Sequence, residues 1–94
     1  MSISDYSNPQ RVLKNAHKYV SKDVELYLSH HKNKKYAVLN PHTNKLVHFG
    51  LKPYLDYTKT LDKDKRDNFL KRNHKWATAD KYSPAYLSYW LLWN

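Results

Sequence analysis

The sequence predicts an α+β fold: a small three-stranded antiparallel meander packed with an N-terminal helix and two C-terminal helices. Three observations carry this expectation. An apolar stripe of helical period follows Asn8-Pro9. Three short β-rich runs, separated by turns containing Asn or Pro, occupy residues 24–49. A second cap-plus-proline pair, Ser83-Pro84, opens a final apolar run. The 94 residues make one domain, with residues 1–8 as an N-terminal arm. A chain of this size buries only about 60–70% of the surface its unfolded form exposes, so each large apolar side chain matters. Aromatic residues are 15% of the sequence, which separates it from disordered basic tails.

The elements follow in order. Asn8 suits a helix cap and Pro9 the first helical position, where its missing N–H is not needed. Val12, Leu13, Ala16, Tyr19 and Val20 then recur at helical spacing, with Arg11, Lys14 and Lys18 on the other face, so the first helix is expected from Pro9 to about Val20. Val24, Leu26 and Leu28 alternate with Glu25 and Tyr27 as in a half-buried strand. The turn His30-His31-Lys32-Asn33-Lys34 leads into a second strand, Lys35–Leu39, and Asn40-Pro41-His42-Thr43-Asn44 into a third, Lys45–Phe49. Gly50, the only glycine, closes that strand and marks a positive φ or a close backbone approach. A helix follows Asp56-Tyr57-Thr58, with Thr58 or Thr60 as its cap. Asp62, Asp64 and Asp67 lie in its first half and Lys71, Arg72 and Lys75 at its end, as the helix dipole favours. Asp62 with Arg66 and Asp67 with Lys71 are spaced for i,i+4 pairs, and Phe69 and Leu70 supply the buried stripe. The last helix runs from Ser83-Pro84 to the chain end and is apolar nearly all round, so it is expected to be buried on more than one side.

Several function classes are disfavoured. With no cysteine, disulfides and thiolate metal sites are excluded. One glycine cannot build a phosphate-cradling loop, no serine sits in a Gly-rich elbow, and three of the eight acids belong to the charge-paired helix. No catalytic residue is assigned and the protein is expected not to be an enzyme. The six histidines contain no H-x-x-x-H or H-E-x-x-H spacing, and neighbouring histidines in a turn are expected to point apart. No metal, cofactor or small-molecule substrate is therefore expected. Residues 1–9 are polar, unlike a signal peptide, and no apolar run approaches the ~20 residues of a membrane span.

What remains is binding. A formal charge of +9 favours nucleic acid, an anionic membrane or the acidic face of another protein. The basic residues fall in two zones: the turn Lys32, Lys34 and Lys35, and the helix Lys63, Lys65, Arg66, Lys71, Arg72 and Lys75 with Trp76 just after it. Lys and Arg beside aromatics suit nucleic acid, since the cations neutralise phosphates and rings stack on bases. Lysine far outnumbers arginine, which favours phosphate contact over bidentate base reading. Tyr86, Tyr89 and Trp93 are candidates for a protein interface.

From Val47 onward the chain resembles a family of small, basic, uncharacterised proteins of large double-stranded DNA viruses and phages. The matching pieces are His48-Phe49-Gly50, Asp56-Tyr57-Thr58, Asp62/Asp64 with Arg66, Phe69-Leu70 with Arg72, and Leu87-Ser88-x-Trp90-Leu91-Leu92-Trp93-Asn94. The chain departs from the pattern at Asn73, Ala85 and Tyr89, where a basic position of the last helix is lost. The resemblance implies a non-enzymatic virion-associated structural protein, a minor capsid or cement component that bridges other virion proteins. It would reside in the virion, and in the host cell during assembly. The alternative reading is a sequence-nonspecific nucleic-acid-binding protein.

Overall fold

A computed structural model of the chain describes residues 2–94. It is an α+β fold with a three-stranded antiparallel sheet, an N-terminal helix and helices in the C-terminal half. Helix α1 spans Pro9–Tyr19. Asn8 caps it by accepting the Arg11 backbone N–H, and Pro9 occupies its first turn. Val12 and Ala16 are fully buried and Val20 nearly so. Leu13, expected on the same face, is 38% exposed, because the apolar stripe is narrower than its periodicity suggests. The expected N-terminal arm packs into the body from Ile3 onward: a 3₁₀ turn spans Ile3–Asp5 and Ser7 is buried. Met1 lies outside the described residues.

The sheet consists of β1 (Leu26–Leu28), β2 (Lys34–Asn40) and β3 (Lys45–Leu51), with β2 central. Tyr36 pairs with Leu28 on one side and Phe49 on the other, and Val38 with Leu26 and Val47. This row packs on α1 and on the C-terminal segment, giving a core of Val12, Ala16, Val20, Val24, Tyr36, Val38, Phe49, Leu87, Leu91 and Leu92. The first strand is shorter than expected. Val24 is buried ahead of it and Leu26 packs half-buried against the core, whereas Leu28, at the far end of this edge strand, is exposed.

After β3 the expected single helix is broken in two. Helix α2 (Tyr57–Thr60) ends at Leu61, which takes a left-handed conformation at φ 54°. Helix α3 (Lys63–Arg72) then starts on Asp62, whose carboxylate accepts the N–H groups of Asp64 and Lys65. Asp62, not Thr58 or Thr60, is thus the cap. The i,i+4 pairs do not form either, since Asp62 is held by backbone donors and Asp67 meets Arg66 at 3.2 Å. Phe69 and Leu70 are half-buried, and α3 contributes no fully buried residue. A 3₁₀ stretch, His74–Thr78, leads to α4 (Pro84–Leu87), capped by the Ser83 hydroxyl on the Tyr86 N–H. The chain continues as π-helical turns over Ser88–Leu92. The last carbonyls of a helix lack regular partners, and the Asn15 amide of α1 donates to that of Leu91 and also to the backbone oxygen of Asn94 beyond the helix, each at 3.0 Å. Among the described residues, no helix is long and apolar enough to cross a membrane.

Candidate nucleic-acid interface

Arg11, Lys14 and Lys18 recur at i, i+3 and i+7 on the solvent side of α1, so one stripe carries all three. The capped start of α3 brings Arg66 to face them. Its guanidinium lies 5.4 Å from the Tyr57 ring centre and 3.3 Å from Asn94 Oδ1. Between these elements runs a cleft of about 710 Å³, and none of its described lining residues is acidic. The neutral lining includes the amides Asn8, Gln10 and Asn15 and the rings of Tyr19 and Tyr57, which offer hydrogen bonds and flat apolar faces beside the four cations. Asp67, on the exposed side of Arg66, offsets part of its charge. Such a cleft concentrates positive potential and can hold a chain of phosphates.

A second concavity, about 520 Å³, lies between β3 and the C-terminal elements. Its walls are Phe69, Trp76 and Trp93, with Leu51, Tyr54 and Leu55 on the rim. Phe69 is the hinge of the aromatic wall: Trp93 stacks on it at 4.4 Å and 9°, and Trp76 meets it edge-on at 5.8 Å. Trp76 is 37% exposed, Tyr54 68% and Leu51 53%, a contiguous apolar face on a strongly charged molecule.

The sequence-predicted residues separate in the structure. Lys32 is exposed in the β1–β2 turn and Lys34 lines the aromatic groove. Lys35, expected to meet phosphates, is 3% exposed, and its ammonium lies 3.1 Å from the Asp56 carboxylate. This is a correction: strand alternation places Lys35 beside Gly50, where the absent side chain makes room for its stem. Burial pushes the Lys35 pKa down, with the Asp56 charge opposing. Lys63, Lys65, Lys71, Arg72 and Lys75 are exposed along α3 and the 3₁₀ stretch, and Arg66 is half-buried in the cleft. Of the aromatic candidates, Tyr86 donates its hydroxyl to the Tyr19 carbonyl at 2.7 Å, and Tyr89 packs against Trp90 at 5.1 Å. Trp93 alone of the three lines the groove. Sequence reasoning assigned Arg11, Lys14 and Lys18 to an ordinary solvated helix face. Their common stripe was the available signal.

Three of the histidines, which no ligand spacing in the sequence links, form a cluster. His30, His31 and His48 come together at one end of the sheet, with ring centres 3.6 to 4.7 Å apart. Neighbouring turn residues were expected to point apart, but that alternation belongs to extended strands. Here the Ser29 hydroxyl accepts the His31 N–H and bends the chain. Partial burial lowers the His48 pKa, as do the nearby His31, His30 and Lys34.

Fold and sites together define a small, strongly basic α+β domain with a cationic cleft and a separate aromatic groove. Over residues 24–73, just over half of its length, the chain matches a protein family of unknown function (DUF5754), and it belongs to that family. No curated protein and no solved structure matches it.

Proposed function

We propose that this protein is a non-enzymatic, sequence-nonspecific nucleic-acid-binding protein that holds the phosphate backbone in the α1–α3 cleft. The observation that carries this reading is the convergence of Arg11, Lys14, Lys18 and Arg66 on one cleft without an acidic lining residue. Backbone neutralisation supplies essentially all of nonspecific affinity and needs no base-reading geometry. The aromatic groove supports a second reading, a structural protein that bridges others in a particle, through the exposed Leu51, Tyr54, Leu55 and Trp76. A virion location accompanies either reading and rests on the resemblance carried by residues 47–94.

The two readings differ in their response to salt. Phosphate binding weakens steeply as salt rises, whereas an apolar protein contact largely survives. Duplex DNA titrations at several salt concentrations should give a linear log–log dependence. Replacing Arg11, Lys14 and Lys18 by Gln should flatten the slope by up to about 0.9 per lost phosphate contact. An unchanged slope would remove the cleft from the nucleic-acid reading.

A further inference from the structure

At the turn end of the sheet, three imidazoles meet in an arrangement that backbone binding does not use. Tyr27, Ala37 and His48 stand side by side across β1, β2 and β3. The small Ala37 side chain lets the His48 ring cross the central strand and reach Ser29, just beyond β1. Ser29 Oγ lies 2.7 Å from His48 Nδ1 and also accepts the His31 N–H at 3.0 Å. One hydroxyl therefore fixes the half-buried imidazole and folds the two exposed ones over it. A nitrogen from each of His30, His31 and His48 lies within 4.8 Å of the others.

We infer that His30, His31 and His48 bind one divalent transition-metal ion of the imidazole-preferring class, zinc(II) foremost, leaving a coordination position open to solvent. The donor set selects this class. Three neutral nitrogens without a carboxylate suit zinc, copper or nickel and do not suit magnesium or calcium, which require oxygen. A tetrahedral zinc ion with bonds of about 2.0–2.1 Å holds its nitrogens about 3.4 Å apart, so the ligand atoms need to draw in by roughly 1.4 Å at most. His30 and His31 are exposed in a turn and can rotate to do so, while His48 stays anchored. With Nδ1 engaged by Ser29, His48 offers Nε2 to the ion, the usual division of labour for a metal-binding imidazole. The nearby Lys34 charge opposes a cation, and it favours an anion, hydroxide or phosphate, in the open position.

The test uses the whole chain without a polyhistidine tag, stripped with chelator and titrated with zinc chloride at neutral pH. Calorimetry should show one ion per chain. In the folded wild-type protein, the ring resonances of His30, His31 and His48 should shift, and those of His17, His42 and His74 should not. His30→Ala, at an exposed position that leaves the fold intact, and His48→Ala should each weaken zinc binding at least about tenfold, as losses at metal sites do. Absence of binding by the wild type would overturn the inference. So would zinc shifts confined to His17, His42 or His74, or an affinity that neither variant changes.

Discussion

Lys35 Nζ and Asp56 Oδ2 meet 3.1 Å apart with side chains only 2% and 1% exposed, so an ion pair sits in the interior of a domain with few residues to spare. The Thr58 hydroxyl donates to the other Asp56 oxygen. Thr58 Oγ1 also lies 3.1 Å from Ser7 Oγ and accepts the Asn8 N–H at 3.0 Å. Having given its own proton to Asp56, Thr58 must accept from Ser7. One carboxylate thereby ties β2, the segment before α2 and the start of α1. Removing one partner of a buried pair strands the other charge, so Asp56→Ala should cost about 3–5 kcal/mol by chemical denaturation. The double variant Lys35→Met, Asp56→Leu should cost less than the two single changes together. Additive costs would show that the two groups are not coupled.

Gly50 is needed for this pair. Its φ of 82° is a conformation side chains rarely adopt, and an added Cβ would stand 3.0 Å from Leu92 Cδ1 and 3.1 Å from Lys35 Cβ. Gly50→Ala combines backbone strain of about 1–2 kcal/mol with overpacking of about 1–3 kcal/mol. A melting temperature equal to wild type would contradict both terms.

These two positions show what a sequence does and does not disclose. Asn8-Pro9 and Ser83-Pro84 announce their helices because caps and first-turn prolines act locally, and the meander was legible from period-2 runs between Asn and Pro turns. Gly50 was legible as special. The burial of Lys35 was not, because its partner lies 21 residues away and strand alternation alone cannot say which face is covered. The α2–α3 break was hidden by a choice among neighbouring caps, decided by Leu61 turning left-handed so that Asp62 could cap. The cationic cleft needed Arg66 to arrive from another helix. The histidine cluster needed the β2–β3 register, which sets His48 opposite Ala37.

Tyr36 gives a pH signature. It is fully buried, and its hydroxyl is the buried side-chain polar atom without a hydrogen-bond partner among the described residues. Burial pushes its pKa up to about 12, and the nearby Asp56 charge acts in the same direction. A folded pKa above the unfolded value of 10.0 means that Tyr36 supports the fold fully below pH 10 and loses that contribution as pH climbs towards 12. Absorbance titration of the tyrosines should show a late component that Tyr36→Phe removes. At neutral pH the same variant should be as stable as wild type or more so, since it deletes an unpaired buried hydroxyl. A late component that persists would place the high pKa on another tyrosine.

The last prediction separates the groove from the basic surface beside it. Trp93 is half-buried and stacked on Phe69, so Trp93→Ala should destabilise the domain, though by less than the about 3–5 kcal/mol of a fully buried Trp. Trp76 touches Phe69 only edge-on and is more exposed, so Trp76→Ala should leave stability nearly unchanged while removing one groove wall. Lys71, Arg72 and Lys75 lie on the exposed surface beside it. If single-stranded nucleic acid runs from these cations into the groove, Trp76→Ala should weaken binding by about 1–3 kcal/mol, the worth of one stacked base, and leave the salt slope intact. Replacing Lys71, Arg72 and Lys75 by Ala should do the reverse, lowering the slope by up to about 0.7 per lost contact on single strands. A Trp76→Ala protein that binds single strands with wild-type affinity would exclude base stacking there and leave the groove to a protein partner. A charge variant with an unchanged slope would confine phosphate contact to the α1 cleft, where Arg11, Lys14, Lys18 and Arg66 converge.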